Sequence, residues 1–434
     1  MANLVTETIF PAVFSQSSAE FRLNMSPGYT RLRLARLGVT TPAGTTASYT
    51  DTAGVYGLLS RVALYDGGTL LDELVDAYAW AAFQNLRRAG PGRDNGLDYS
   101  LFTPLTASSR SYAVAPAGDV MTHLSTRNGS LATSDANTTA KGWLSLDSLL
   151  NFVARAGVLD TRAMPGLRLL VEWRSDPALL FAGTNPAIGA VTILSPVLLA
   201  ERMDEAGLAA MPAAPAVGYN RILTERVSIG GTAAVLAPPA VELQSVGVRL
   251  LAPLGHSVNR LVCAAVRSDA PSADETAADD IKDGGSEIFE GEVWQFAVNG
   301  ENLLPYGGCD TWARKQHLLW QAWGDLHVPQ GGGCQAITNA APPVNALAGL
   351  YDVARVQTAV GGFAGSLERG PLVGKLSYFG AIIGRRVSDL QLRYSRQLTA
   401  RRPGGVTLRF FYECPAVVSG IDPRDPAGYT VAFA

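Results

Sequence analysis

The segment Leu64-Tyr65-Asp66-Gly67-Gly68-Thr69-Leu70-Leu71 constrains this chain most, because a close variant of it returns as Val298-Asn299-Gly300-Glu301-Asn302-Leu303-Leu304. In each copy an apolar strand candidate meets an Asp-Gly or Asn-Gly pair, residues that accept positive φ cheaply and so reverse a hairpin. Two leucines follow, and then a Trp-bearing helix candidate, over residues 72–88 in the first copy and 310–324 in the second. In the first helix Leu74, Tyr78, Ala82 and Leu86 fall at steps of four, and Gly90-Pro91-Gly92 stops it. In the second, Asp310-Thr311 caps a helix carrying Trp312, Leu319, Trp320 and Trp323, near one face and suited to packing on a sheet. A late strand also recurs in order: Gly166-Leu167-Arg168-Leu169-Leu170-Val171-Glu172-Trp173-Arg174 resembles Gly405-Val406-Thr407-Leu408-Arg409-Phe410-Phe411-Tyr412-Glu413. The spacing is far longer than the roughly 20–50 residues of a solenoid repeat, so whole domains are duplicated.

A chain of 434 residues fits about two domains, each able to bury its own core. Its 45 glycines and 25 prolines, with 47% hydrophobic and 17% charged residues, describe a loop-rich globular protein and favour short strands joined by turns. Alternation over 31–39, 57–65 and 167–173 reads as half-buried strands, and 221–229, 241–251, 258–266 and 292–298 supply more. Residues 145–153 read as a short capped helix, and Ser195-Pro196 opens another that runs through Glu201 and Glu205 to Gly207. Residues 1–20, with Ile9, Phe10, Val13 and Phe14 among polar neighbours, read as an N-terminal arm. The first domain then spans 21–208, a linker marked by Pro212 and Pro215 spans 209–219, and the second domain spans 220–434.

Several functions are excluded or disfavoured. A net charge of −3 gives no reason to expect direct, sequence-specific nucleic-acid binding, since affinity for phosphate backbones needs a concentrated basic surface. Arginine outnumbers lysine 31 to four, which biased codon usage explains as well as subunit pairing does. No basic n-region precedes Arg22, and apolar runs break before the roughly 18–20 residues of a spanning helix, so a soluble chain without a secretory signal is expected. The triplets Asn128-Gly129-Ser130 and Asn137-Thr138-Thr139 are then chance matches to a glycosylation acceptor. Residues 91–141, rich in Ser, Thr, Gly and Asn with a strand candidate at 111–115, and the acidic stretch 268–287 read as long loops. The latter lacks the pattern and closing Glu of a calcium loop. Cys263, Cys309, Cys334 and Cys414 form no C-x-x-C pair, and reduced buried thiols are expected, a Cys309–Cys334 bridge being the alternative.

No catalytic constellation stands out. His123, His256, His317 and His327 show no metal-ligand spacing, and Gly331-Gly332-Gly333 leads into loop residues instead of a phosphate-cradling helix. Neither a nucleophile elbow nor a Walker loop occurs. Glu172 with Glu242 or Glu292 is the best pair of acids for glycoside hydrolysis, but rim or interface charges are the plainer reading. Arg385, Arg386, Arg393, Arg396, Arg401 and Arg402 form the one basic concentration, assigned to subunit contact. Catalytic, cofactor and metal residues are therefore expected to be none.

Four segments taken in order, the Asp66-Gly67 turn with its helix, residues 145–174, the Asn299-Gly300 turn with its helix, and residues 405–413 with the C-terminal tail, resemble the double jelly-roll major capsid proteins of icosahedral DNA viruses. The resemblance implies an all-β fold of two consecutive eight-stranded jelly-roll β-barrels with short helices in the connecting loops. It further implies a structural, non-enzymatic protein without cofactors, forming homotrimers whose six barrels give a hexagonal outline that tiles a virion shell. The implied partners are further copies, neighbouring capsomers, minor capsid or penton proteins, and an internal membrane, which members of this family often enclose and which the apolar arm would contact. Its location would be the virion, after assembly inside the host cell, with 91–141 and 268–287 as surface towers. The reading from another class is a carbohydrate-active β-sandwich protein, either hydrolase or lectin.

Overall fold

The computed structural model describes residues 5–24, 26–37, 39–40, 48–49, 58–87, 142–174, 181–182, 192–209, 216–232, 241–267, 291–304, 307–323, 336–338, 343–345, 378–399, 404–426 and 428–433. The first half contributes β1 (Val5–Ile9), β2 (Val13–Phe14), β3 (Ser18–Arg22), β4 (Gly28–Leu37), β5 (Val39–Thr40), β6 (Ser48–Tyr49), β7 (Leu59–Asp66) and β8 (Thr69–Val75). Helix α1 (Ala77–Arg87) follows, then β9 (Gly142–Ser145), α2 (Asn151–Ala156), β10 (Leu159–Asp160), β11 (Leu167–Trp173), β12 (Phe181–Ala182), β13 (Thr192–Ile193), β14 (Val197–Met203) and α3 (Glu205–Ala209). The second half contributes β15 (Ala216–Ile229), β16 (Val241–Arg249), β17 (Ser257–Arg267), β18 (Val293–Val298), β19 (Glu301–Asn302), α4 (Trp312–Trp323) and the ribbon β20 (Ala336–Thr338) with β21 (Pro343–Asn345). It closes with β22 (Phe379–Arg386), β23 (Leu390–Thr399), β24 (Val406–Ser419) and β25 (Thr430–Phe433).

Each half folds into two facing antiparallel sheets with one strand order. In the second half the sheets run β15-β24-β17-β22 and β16-β23-β18-β19. In the first they run β1-β14-β4-β10 and, with β2 beyond its edge, β3-β11-β7-β8. Numbering the principal strands of each half one to eight, both read 1-8-3-6 opposite 2-7-4-5, the order of an eight-stranded jelly roll. Alternation builds the layers: Leu167, Leu169, Val171 and Trp173 of β11 point inward while Arg168, Leu170 and Glu172 face out half-buried. One apolar cluster fills the first barrel and continues onto the second, and another, around Trp294, Phe296, Phe379 and Phe410, fills the second barrel alone.

The duplicated turns occupy the same corner, between strands four and five. Asn299 and Gly300 both have positive φ (53° and 84°), the conformation of a two-residue type I′ hairpin, and Gly67 has φ 54°. Each turn is fastened to the connection between strands six and seven. The Asp66 carboxylate accepts the Gly166 N–H at 2.6 Å, and Gly166 approaches so closely that a Cβ there would sit 2.5 Å from the Gly67 nitrogen. The Asn299 side chain accepts from the Ser388 and Asp389 N–H groups at 2.8 and 3.1 Å and donates to the Arg386 carbonyl at 2.9 Å.

The structure corrects several expectations. Of the arm expected over residues 1–20, the described part, from Val5 on, does not stand off: β1 pairs with β14, and β3 pairs with β2 and β11, so all three are strands of the first barrel. The helix expected over 72–88 begins only at Ala77, because Asp72, Glu73 and Leu74 are paired with β7. The single helix over 145–153 is instead a 3-10 turn at Leu146–Ser148 followed by α2, and Ser145 makes no side-chain cap. Residues 197–203 are not helical: β14 is held between β1 and β4, and only α3 is helix. The counterpart of β11 is β23, the seventh strand of its barrel, whereas the sequence-similar β24 is the eighth; β11 alternates throughout, while β24 alternates toward its ends and is buried on both faces over residues 410–414. Of the linker 209–219, Ala216, Val217, Gly218 and Tyr219 already belong to β15. The segments 91–141 and 268–287, Cys334, His123, His327, Arg401, Arg402, both Asn-x-Ser/Thr triplets and the three-glycine run lie outside the described residues.

Candidate interaction surfaces

The residues singled out for chemistry do not converge. Glu172 faces outward from β11 and binds Arg61 at 3.0 Å. Glu292 is buried in the second barrel, where Lys315 of α4 reaches it at 2.5 Å and the Tyr394 hydroxyl donates to it at 3.1 Å. Glu242 lies exposed on β16. Three acids in three surroundings make no hydrolase pair. Among the described residues no group of three or more His, Cys, Asp or Glu side chains is placed to hold a metal ion. The arginine concentration is likewise dispersed: Arg396 is buried and donates to Gln244 and the Gly404 carbonyl, Arg385 pairs with Glu301, and Arg393 lines a shallow cleft of about 210 Å³ with Ser245, Gln295 and Asn302. Burial pushes the thiols of Cys263, Cys309 (to about 11) and Cys414 (to about 12) up, which leaves them unreactive. In α4, Leu319 and Trp323 are buried, and Trp323 donates its indole N–H to the Leu261 carbonyl at 3.1 Å.

What the fold does assemble is a seam between the barrels. Strand β8 and α1 of the first barrel lie against β15 and the outward faces of β24 and β17 of the second. Its apolar centre is aromatic: Trp80 sits 5.7 Å from Trp323 and 5.3 Å from Phe411, and Phe83 sits 5.3 Å from Trp323 and 5.2 Å from Tyr378. Further along, Phe152 meets Tyr219 edge-on at 5.4 Å. Around this centre, arginines of β15 reach acids of the first barrel. Arg221 binds Glu73 at 3.0 Å, and Arg226 forks onto Asp76, whose carboxylate is 1% exposed. Glu73 is shared with Arg61, which also takes Glu172 and the Tyr65 hydroxyl. Tyr219 donates to the Leu71 carbonyl, and Asn151 donates to the Asn220 carbonyl at 2.5 Å.

Asp72 is the unusual member. It is wholly buried and accepts the Phe152 and Glu73 N–H groups at 2.9 Å each. Burial raises its pKa to about 7 despite those two donors and the nearby Arg221. Sequence reasoning missed Asp72, Glu73, Asp76, Arg221 and Arg226. The one available signal was Asp76 immediately before the helix, where its carbonyl accepts the Ala79 and Trp80 N–H groups.

At the tight-turn end the C-terminal tail joins both barrels. Strand β25 pairs with the end of β24, the Tyr429 hydroxyl donates to Asp66 at 2.7 Å, and the Phe433 ring lies 4.3 Å from His256 in the second barrel's 2–3 connection. Burial, then Arg221 and Arg386, lower the His256 pKa. The tight turns of the two barrels therefore lie side by side, and the long connections at 38–58, 88–141, 268–290 and 324–377 all leave from the opposite ends of their strands.

No family model and no curated protein sequence matches this chain. Solved structures do. The mavirus major capsid protein aligns with TM-score 0.56 at 10% identity, covering 99% of this chain and 90% of its own. VP54 of the virus PBCV-1, fitted into a reconstruction of the virophage Sputnik, aligns with TM-score 0.52 at 12% identity over 100% and 98%. The quasi-atomic capsid model of PBCV-1 gives 0.51 at 12% identity, again over 100% and 98%. At such identities the likeness is one of fold, and the fold is that of double jelly-roll major capsid proteins.

Proposed function

We propose that this protein is the major capsid protein of an icosahedral virus and forms homotrimeric, pseudo-hexameric capsomers that tile the virion shell. One observation carries the reading: a complete jelly roll occurs twice, and the two copies are locked side by side by a buried aromatic and ionic seam. A pair of upright barrels held at a fixed angle is one third of a six-barrel ring, so three copies give a hexagonal tile that closes by rotation. The division into two barrel domains about a boundary at 209–219 is part of the proposal. Its partners would be further copies, neighbouring capsomers, and minor capsid or penton proteins, with assembly inside the host cell. The long connections at one end would form the outer face. The membrane contact expected of a free arm is left out, because β1 and β3 are paired strands of the first barrel. Function is read as structural, without catalysis.

Light scattering and negative-stain microscopy of the purified chain test the proposal. A monodisperse trimer with a hexagonal outline is expected. A stable monomer that cleaves or retains glycans would overturn it.

A further inference from the structure

One corner of the seam sets two like charges side by side. Arg226 of β15 stands directly opposite Arg409 of β24 in the sheet register, and both side chains leave the outward face that meets the first barrel. Like charges directly opposite each other destabilise an antiparallel pair. Asp76 answers the first of them, accepting from Arg226 with both carboxylate oxygens. Arg409 has no such acid. Its guanidinium carbon lies 5.2 Å from the centre of the Tyr78 ring, and its Nε and Nη1 atoms are buried without a hydrogen-bond partner among the described residues. A ring face attracts a cation but leaves its N–H donors without an acceptor oxygen. The same-face neighbours Ser228, Thr407, Ala264 and Phe411 are uncharged, and Glu413, further along β24, is held by Arg260.

We propose that this corner binds one tetrahedral oxyanion of the inorganic-phosphate class between Arg226 and Arg409. Two guanidinium groups supply the fork geometry that matches paired oxygens. One cross-strand pair further on, the hydroxyls of Ser228 and Thr407 stand 3.5 Å apart on the same face and offer two neutral donors. The site opens to solvent, since the Arg226 side chain is 52% exposed and Ser228 is exposed. From the first barrel, the Arg174 guanidinium lies 4.2 Å from the same Tyr78 ring and brings a third cation to the corner. An oxyanion here takes the place of the acid that Arg409 lacks. Because the corner exists only where the barrels meet, binding stabilises their joint in proportion to the anion concentration. The inference rests on the seam and not on the capsid reading.

Inorganic phosphate is the probe, added to the full chain at an ionic strength held constant with sodium chloride. Phosphorus NMR titration reads binding, and thermal unfolding reads stability. Arg409→Met removes the guanidinium, Arg409→Lys keeps the charge without the fork, and Arg249→Met on β16, where the side chain is 59% exposed beside Asp389, is the control. The wild type is expected to bind saturably with a dissociation constant of about 1 mM or tighter. Arg409→Met should weaken binding at least about tenfold and Arg409→Lys at least about threefold, with Arg249→Met unchanged. In phosphate-free buffer Arg409→Met should unfold at or above the wild-type temperature, because the like-charge pair is gone. Should Arg409→Met not fold, the threefold loss in Arg409→Lys decides. A wild type that shows no saturable binding, an affinity that the folded Arg409 variants keep or that Arg249→Met loses equally, or an Arg409→Met that is less stable without phosphate would each overturn the assignment.

Discussion

Replacing Trp80 by Ala tests whether the seam makes one cooperative body of the two barrels. Trp80 is 4% exposed, and its ring lies 5.7 Å from Phe83 of its own helix, 5.7 Å from Trp323 and 5.3 Å from Phe411 across the seam. Truncating a buried Trp costs about 3–5 kcal/mol in lost transfer energy and cavity. Three ring pairs, each contributing about 0.5–1.5 kcal/mol beyond area, put this site near the upper end. Phe296→Ala is the matched control, because Phe296 is fully buried among Trp294, Phe379 and Phe410 in the second barrel's own core and carries a similar cost. The two variants differ in which connection they weaken. The apolar cluster of the first barrel runs across the seam through Trp80, whereas the cluster around Phe296 stays within one barrel. Urea titration followed by hydrogen exchange and mass spectrometry reads peptides from both barrels separately. The wild type and Phe296→Ala should lose protection in both barrels at one midpoint. Trp80→Ala should split the transition, with the second barrel keeping the higher midpoint. A single coincident transition in Trp80→Ala, or a loss below about 1 kcal/mol, would refute the reasoning.

The buried Asp72 makes stability depend on pH. Its folded pKa, about 7, lies above the unfolded carboxylate value, so the folded state binds the extra proton and its contribution, on the order of a few kcal/mol, is full below about pH 4 and lost as pH rises to about 7. Asp72→Asn should flatten the fall in urea midpoint over that window, at a constant cost from one imperfect hydrogen bond to the Phe152 or Glu73 N–H. Tyr429→Phe should cost about 1 kcal/mol, since it removes the hydrogen bond to Asp66. It should also loosen the C-terminal strap, read as faster tryptic cleavage after Arg424, which is exposed in the turn before β25. Lys315→Met should lower stability by about 3–5 kcal/mol, because Glu292 is left charged and buried without its partner. Adding Glu292→Leu should recover most of that loss in the same thermal assay, and a double variant no better than the single would count against the account.

Local chemistry made a good part of this architecture legible. Asn299-Gly300 and Asp66-Gly67 read as turns because positive φ is a property of the residues themselves; the two turns do occupy one corner of two like barrels, although the first is made by Gly67 and Gly68, Asp66 being the last paired residue of β7. Strands such as β4 and β11 were legible from side-chain alternation, and the helices after each turn from their period and stop signals. What local pattern could not reveal was pairing. Val197-Leu198-Leu199-Ala200 has good helical propensity, yet β1 and β4 claim its backbone from both sides, and long-range hydrogen bonds override propensity. The strands within residues 5–22 looked like a loose arm because β1, β2 and β3 are too short to show alternation clearly, and the strands that hold them in the sheets, β14 for β1 and β11 for β3, lie more than a hundred residues away. The match of Gly166 with Gly405 compared two inward-facing strands of different rank, since burial imposes one pattern on every central strand and only the sheet order separates the seventh from the eighth. The seam followed the same logic. Turns and alternation follow from forces acting within a few residues and so are written along the chain. The joining of Arg221 to Glu73, Arg226 to Asp76 and Trp80 to Trp323 depends on where two finished barrels come to rest, which only the tertiary structure decided.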